Sequence, residues 1–273
     1  MRWFIALAAL LLVSMGARGG FENLTCLDWS PTGEYMLFSQ NGGLYLGQAP
    51  NGGYPRRLTP ADTWVSWGRL GPGGDWYVYV TPLEDHYVLW RGWVSGGEPE
   101  ELYRSQARIS QPAVSSDGER IALVVEEEGT TDLYLLELAS GELRPLTQTP
   151  FREACPDFSP AGDLIVFAGL WEGGESWDLF LLELSSGSIV QLTDDPFFDW
   201  GPRFSPDGEW IAFESNRRGV SDIYVIRRDG DGLTPFTYDQ WRDAFPTWAP
   251  SGDRLAFASR RPDGWVILAE GTY

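Results

Sequence analysis

The sequence predicts an all-β chain, a six-bladed β-propeller of four-stranded antiparallel blades. Two markers that keep step carry this prediction, with a strand pattern between them. Ser205-Pro206-Asp207-Gly208 recurs as Ser30-Pro31-Thr32-Gly33, Ser115-Ser116-Asp117-Gly118, Ser159-Pro160-Ala161-Gly162 and Ala249-Pro250-Ser251-Gly252, with Gly71-Pro72-Gly73-Gly74 as a degraded copy. The closing glycines, at 33, 74, 118, 162, 208 and 252, lie 41 to 46 residues apart. The second marker is Leu58-Thr59, Leu102-Tyr103, Leu146-Thr147, Leu192-Thr193 and Phe236-Thr237, each ending 15 residues before the next marker glycine. A fixed period of this length, without helical periodicity, is the mark of propeller blades.

The fifth repeat shows how each element arises. Residues 202–205 form strand A. Pro206 presets the first turn position and Gly208 accepts the left-handed conformation that closes the hairpin. Residues 209–215 form strand B, with Ile211 and Phe213 alternating toward one face. Residues 222–227 form strand C, 229–232 turn, and 233–237 form strand D. Trp29, Trp248, Tyr134 and Tyr224 fall on strand positions suited to packing between blades. In the last repeat, residues 264–269 serve as strand C and only 271–273 remain for strand D. Phe21-Glu22-Asn23-Leu24-Thr25 resembles a Leu-Thr strand that can close the ring, although Thr25 precedes Gly33 by only 8 residues.

Composition limits the chemistry. The chain has 273 residues, 39 acidic and 20 basic side chains and a net charge of −19. All the basic residues are Arg and His86 is the single histidine. A phosphate-loop lysine, a Schiff-base lysine and a multi-histidine metal site are thereby excluded. The charge argues against nucleic acid as a partner. Arg2 followed by the apolar run 3–13 and small residues reads as a secretory signal over residues 1–19, or as an uncleaved anchor, ahead of a single domain over 20–273. An exported monomer, periplasmic or extracellular, is expected, touching a membrane only through that segment. Cys26 and Cys155 share one repeat offset in opposite blades, too far apart to bridge. His86 stands in the slot before strand C that Asp132, Asp178 and Asp222 hold elsewhere, so it reads as a loop residue.

Asp199-x-x-Pro202-x-Phe204-Ser205-Pro206-Asp207-Gly208, followed by Asp222-Ile223-Tyr224-Val225, resembles the repeat of TolB-type propellers. The likeness covers about residues 26–270. It implies a six-bladed propeller, here a stand-alone relative without the α/β domain that precedes the propeller in TolB. Propellers of this type also precede serine peptidase domains, but no Gly-x-Ser-x-Gly elbow occurs in the sequence.

Connectivity places A–B and C–D turns on one face and B–C and D–A loops on the other. The A–B turns are uniform, whereas the opposite loops vary, and variable loops on a rigid scaffold are where binding resides. On that face Glu153, Asp199 and Asp243 each stand three positions before the strand A proline. Arg108, Arg152 and Arg242 stand one position earlier, with Trp200 and Trp241 nearby. These residues make either a mixed-charge aromatic rim for protein or glycan contact, or braces between blades. A second slot, in innermost strand A, holds Asp28, Arg69, Asp157 and Arg203, with Ala113 and Thr247. It places Asp28 opposite Asp157 and Arg69 opposite Arg203, to bind a charged ligand or to balance charge across the channel. No cofactor or metal motif stands out. Asp229-Gly230-Asp231-Gly232 lacks the remaining ligands of a calcium loop. Two functions follow. The first is a non-enzymatic scaffold that binds a protein or peptide on the B–C/D–A face. The second is a carboxylate-dependent enzyme acting on glycans, with Glu153, Asp199 or Asp243 as acid and base and Trp200 or Trp241 as a stacking platform.

Overall fold

The six marker turns behave as their chemistry requires. All six closing glycines have φ between +71° and +78°, where a Cβ would be strained. Each donates its N–H to the carbonyl three residues back, as Gly208 does to Ser205 at 2.9 Å. The turn serine then accepts the first N–H of strand B, Trp210 to Ser205 Oγ at 2.9 Å. The second marker is equally local in origin. Its threonine hydroxyl accepts the N–H of Leu133, Leu179 or Ile223 at 2.9 Å, holding strand D to the start of strand C.

A computed structural model describes residues 11–13, 24–49 and 55–271. It contains six four-stranded antiparallel sheets. Blade one is Leu27–Trp29, Tyr35–Gln40, Gly43–Gln48 and Arg56–Arg57. Blade two is Gly68–Leu70, Trp76–Pro82, Tyr87–Trp93 and Glu100–Ser105. Blade three is Arg108–Val114, Arg120–Glu127, Thr130–Glu137 and Glu142–Pro145. Blade four is Phe151–Phe158, Leu164–Trp171, Asp178–Glu183 and Ile189–Gln191. Blade five is Asp199–Phe204, Trp210–Ser215, Asp222–Arg227 and Thr234–Pro235. Blade six is Arg242–Trp248, Arg254–Arg261 and Gly264–Gly271, with Leu11–Val13 as its fourth strand.

The core lies between blades. One apolar cluster fills each of the six seams; Val166 and Leu179 of blade four, for example, meet Phe204, Ile211 and Phe213 of blade five. Trp29, Trp248, Tyr134 and Tyr224 all pack in these clusters. Ring closure follows the same pattern. Leu24, Leu27, Met36 and Phe38 of the first blade pack on Ala244, Ala256 and Ile267 of the last. The N–H of Trp29 also reaches Thr247 Oγ1 at 3.1 Å.

The outer closing strand differs from the sequence expectation. Leu11–Val13 pairs with Gly264–Gly271, in the register Leu11 to Ala269 and Val13 to Ile267. Of the expected segment 21–25, the first three residues lie outside the described ones. Leu24 and Thr25 form no strand. Thr25 instead bonds Ser39 Oγ and the Ser66 carbonyl, tying blade one to blade two. A strand at a sheet edge needs chiefly backbone pairing, which residues 11–13 make with Gly264–Gly271 without a Leu-Thr pair. The rest of the expected leader, residues 1–19, lies outside the described residues.

Strand A of blades three to six carries one β-bulge each, after Ser110, Ala154, Trp200 and Ala244. The residue that follows has positive φ: Gln111 +50°, Cys155 +52°, Gly201 +61° and Phe245 +56°. A bulge re-aims the side chains beyond it. Here it places the second charged slot around the axis.

Candidate functional site

At the axis, one bonding rule repeats. The slot side chain of a blade accepts the N–H that follows the next blade's slot. Asp28 Oδ2 accepts Leu70 N at 2.8 Å, Asp157 Oδ2 accepts Phe204 N at 2.9 Å, and Thr247 closes the circuit on Trp29. Arg203 then spans the channel. Its Nη1 donates to Asp157 Oδ1 at 3.1 Å, while Nη2 donates to the Leu27 carbonyl at 2.8 Å and lies 3.6 Å from Asp28 Oδ1. The sequence placed Asp28, Asp157 and Arg203 around one channel, and they meet there as a cross-brace. One guanidinium serves two enclosed carboxylates. Burial therefore raises Asp28 above its ordinary range and Asp157 to about 7, against the pull of Arg69 and one backbone N–H each.

Arg69 is placed differently. Among the described residues it forms no salt bridge, and its buried Nε has no hydrogen-bond partner. It lines a small axial chamber of about 30 Å³ with Cys26, Trp67, Gln111, Cys155 and Gly201. Both cysteines are free and buried, as expected from their blades, and burial pushes both thiols up.

The D–A carboxylates occupy the seams. Glu153 is 1% exposed and accepts Leu133 N at 2.9 Å, Thr149 Oγ1 at 2.8 Å and the Thr147 hydroxyl. Burial lifts it to about 7, with those donors opposing. Asp199 and Asp243 are fully buried, and burial lifts each to about 6. Ser215 and Arg217 oppose the shift at Asp199, and Ser259 and Thr237 at Asp243. In blades one to three the same slot holds buried Leu24, Val65 and Ile109. Of the three acids, Glu153 braces the seam to blade three and Asp199 bonds Arg217 of its own blade. The buried Asp243 oxygens have no hydrogen-bond partner among the described residues, so the three make no solvent-facing acid–base pair. Asp178, Asp195 and Asp199 bring carboxylate oxygens within 4.8 Å of one another. Arg217 bridges the last two, at 2.5 and 2.9 Å, so the cluster carries its own counterion.

The remaining rim residues spread around the loop face. Arg152 and Arg242 are exposed, Arg242 lying 5.6 Å from the Trp265 ring centre. Trp200 packs edge-on against Trp177 at 4.6 Å, and Arg261 covers Trp241 at 5.1 Å. Arg108 pairs with Glu126 at 3.1 Å and lines an open recess of about 240 Å³ with Trp64, Trp67, Tyr87, Ser110 and Gln111. Trp64 is 61% exposed there. This recess shares Trp67 and Gln111 with the axial chamber, so the two adjoin at the channel mouth. On the opposite face a recess of about 360 Å³ lies between blades five and six, lined by Trp210, Phe236 and Trp248. His86 bonds Asp85 and Arg104 on the blade surface, at 2.5 Å each.

Sequence reading missed Trp67, Gln111, Arg217 and Glu214. Glu214 is 2% exposed, accepts Phe245 N at 2.9 Å across a seam and is lifted to about 7 by burial. Only the bulge offset, shared by residues 111, 155, 201 and 245, offered a signal for the mouth.

Six four-stranded blades, seam carboxylates and an axial brace define a six-bladed β-propeller. The family model "TolB beta propeller domain" matches residues 76–270, and the chain belongs to that family. A putative TolB from Agrobacterium tumefaciens superposes with a TM-score of 0.72 at 20% identity, covering 92% of this chain and 90% of that one. TolB from Acinetobacter baumannii gives 0.69 at 15% identity, covering 91% of this chain and 63% of that one. An oligogalacturonate lyase in complex with manganese gives 0.64 at 13% identity, covering 90% and 76%. At these identities the likeness is one of fold, and propellers host both binding proteins and enzymes.

Proposed function

We propose that this chain is an exported, non-enzymatic scaffold of the TolB propeller family that binds a protein or peptide on its B–C/D–A face. The observation that carries the reading is the recess between blades two and three. It combines an exposed tryptophan, a guanidinium and amide and hydroxyl groups at the mouth of a rigid channel. Aromatic and arginine side chains on a preformed support are the usual anchors of an interface. Enclosure of Glu153, Asp199 and Asp243 leaves the glycan-enzyme reading without an accessible carboxylate pair from that set. Export rests on the apolar run 3–13 and the small residues after it. The net charge of −19 disfavours nucleic acid as the partner.

The test is affinity capture from envelope extract with the full chain, beside a Trp64→Ser/Arg108→Glu variant of matching circular dichroism. A polypeptide enriched by the first and lost with the second is the expected result. Capture of the same set by both, or of nothing by either, would overturn the reading.

A further inference from the structure

The axial chamber contains a cation that the brace leaves over. Arg69 and Arg203 occupy the same slot in blades two and five, yet among the described residues only Arg203 makes hydrogen bonds and ion pairs there. Arg69 acts on Asp28 and Asp157 through its charge alone. Arg203 holds Asp157, Asp28 and the Leu27 carbonyl. Asp28 and Asp157 are each committed to Arg203 and to a backbone N–H of the next blade. Arg69 remains, its Nε desolvated and unbonded, facing the chamber. The chamber is otherwise lined by two thiols kept protonated by burial, the Trp67 and Trp200 indoles, the brace-bound Arg203, and the Gln111 amide, whose carbonyl already accepts Cys155 N at 2.6 Å. Asp28 and Asp157 feel the Arg69 charge but form no ion pair with it among the described residues. A desolvated donor left unpaired costs free energy, more when it is charged, so such a group calls for an acceptor.

Size narrows what that acceptor can be. One water needs roughly 10–15 Å³ of such space, so 30 Å³ takes two waters or one carboxylate head. A guanidinium presents parallel N–H donors that match the two oxygens of a carboxylate. Trp67 and Gln111 line both the chamber and the blade two–three recess, so the chamber lies next to the loop face. Gly201 keeps the opposite wall open, since a Cβ there would meet only Glu214 Oε1, at 3.6 Å.

We propose that the axial chamber is a binding site for a single carboxylate group, received by the Arg69 guanidinium. The site stands whether or not a protein docks on the loop face. The carboxylate belongs either to a small organic acid or to the carboxy terminus of a peptide, and the two sources are separable.

Trifluoroacetate is the probe, followed by fluorine NMR against the full chain. The expected result is line broadening by the wild-type protein that acetate reverses, with no effect on uncharged trifluoroethanol. Arg69→Met should weaken binding about tenfold or more, the loss of a charge-assisted two-point contact. Gly201→Asn tolerates positive φ and narrows the chamber without touching Arg69, so it should weaken binding too and decides the matter if Arg69→Met does not fold. Tetra-alanine with a free carboxy terminus is then compared with its amide. Competition by the free acid alone assigns the site to chain termini, and competition by acetate but by neither peptide assigns it to small acids. Absence of broadening with wild type, equal broadening of trifluoroethanol, or undiminished broadening in folded Arg69→Met or Gly201→Asn would overturn the proposal.

Discussion

Arg69 and Arg203 show how one slot can hold two energetic roles. The Arg203 head is buried among two carboxylates and a carbonyl, whereas Arg69 forms no ion pair among the described residues. Removing one partner of a buried ion network typically costs about 3–5 kcal/mol, because charge is left unpaired. Arg203→Met should therefore lower the unfolding free energy by that amount in a urea titration. Arg69→Met should change it by roughly 1 kcal/mol or less, as expected where no hydrogen bond is lost. Equal losses in the two variants would show that Arg69 is also part of the brace. Slot membership was legible in the sequence because Asp28, Arg69, Asp157 and Arg203 keep the repeat offset. Which arginine is engaged was not legible, because that depends on how far each side chain reaches across the axis. Glu214 was hidden for a related reason. Strand B carries no chemical marker, and its carboxylate meets Phe245 N only once blades five and six are packed.

Blades were legible as elements because their markers are local backbone requirements. A positive-φ glycine closes each A–B turn, and a threonine hydroxyl caps strand C in four of the six. Neither depends on distant packing, so both recur with the repeat. The outer strand of blade six has no such requirement. Leu11–Val13 reads as part of an apolar leader, and its pairing with Gly264–Gly271 is set by a free sheet edge more than two hundred residues away. The closure that matters most lies inside, in the packing of Leu24, Leu27, Met36 and Phe38 on blade six. A chain beginning at residue 20 should accordingly keep its six-bladed circular dichroism and fold. Amide protection along Gly264–Gly271 should fall, since an edge strand loses the partner of its outward N–H groups. Hydrogen exchange followed by mass spectrometry reads this directly. Unchanged protection would show that residues 11–13 do not supply the strand, and loss of the fold would show that they are essential to closure.

For the molecule as a whole, the buried acids set an unusual pH response. Glu153, Asp157 and Glu214 are lifted to about 7, and Asp178, Asp199 and Asp243 to about 6, in every case chiefly by burial. In the unfolded chain all six titrate near 4. Between about pH 4 and pH 7 the folded state therefore binds more protons than the unfolded one, and stability must fall as pH rises through that window. The contribution is fully present below pH 4 and is lost as each group ionises in the fold. For Glu153, moved from 4.5 to about 7, the effect is roughly 3 kcal/mol. The net charge of −19 acts in the same direction, because protonating acids relieves self-repulsion. The two causes separate by mutation. Thermal unfolding midpoints should be higher at pH 5 than at pH 8. Glu153→Gln should flatten that slope while removing only one of the 39 acidic side chains, whereas exposed Glu128→Gln should leave it unchanged. A slope that responds equally to both substitutions would assign the effect to net charge and not to the seams. A midpoint that rises with pH would show that the seam carboxylates stay ionised in the fold, with the braces acting as ion–dipole contacts instead of protonated ones.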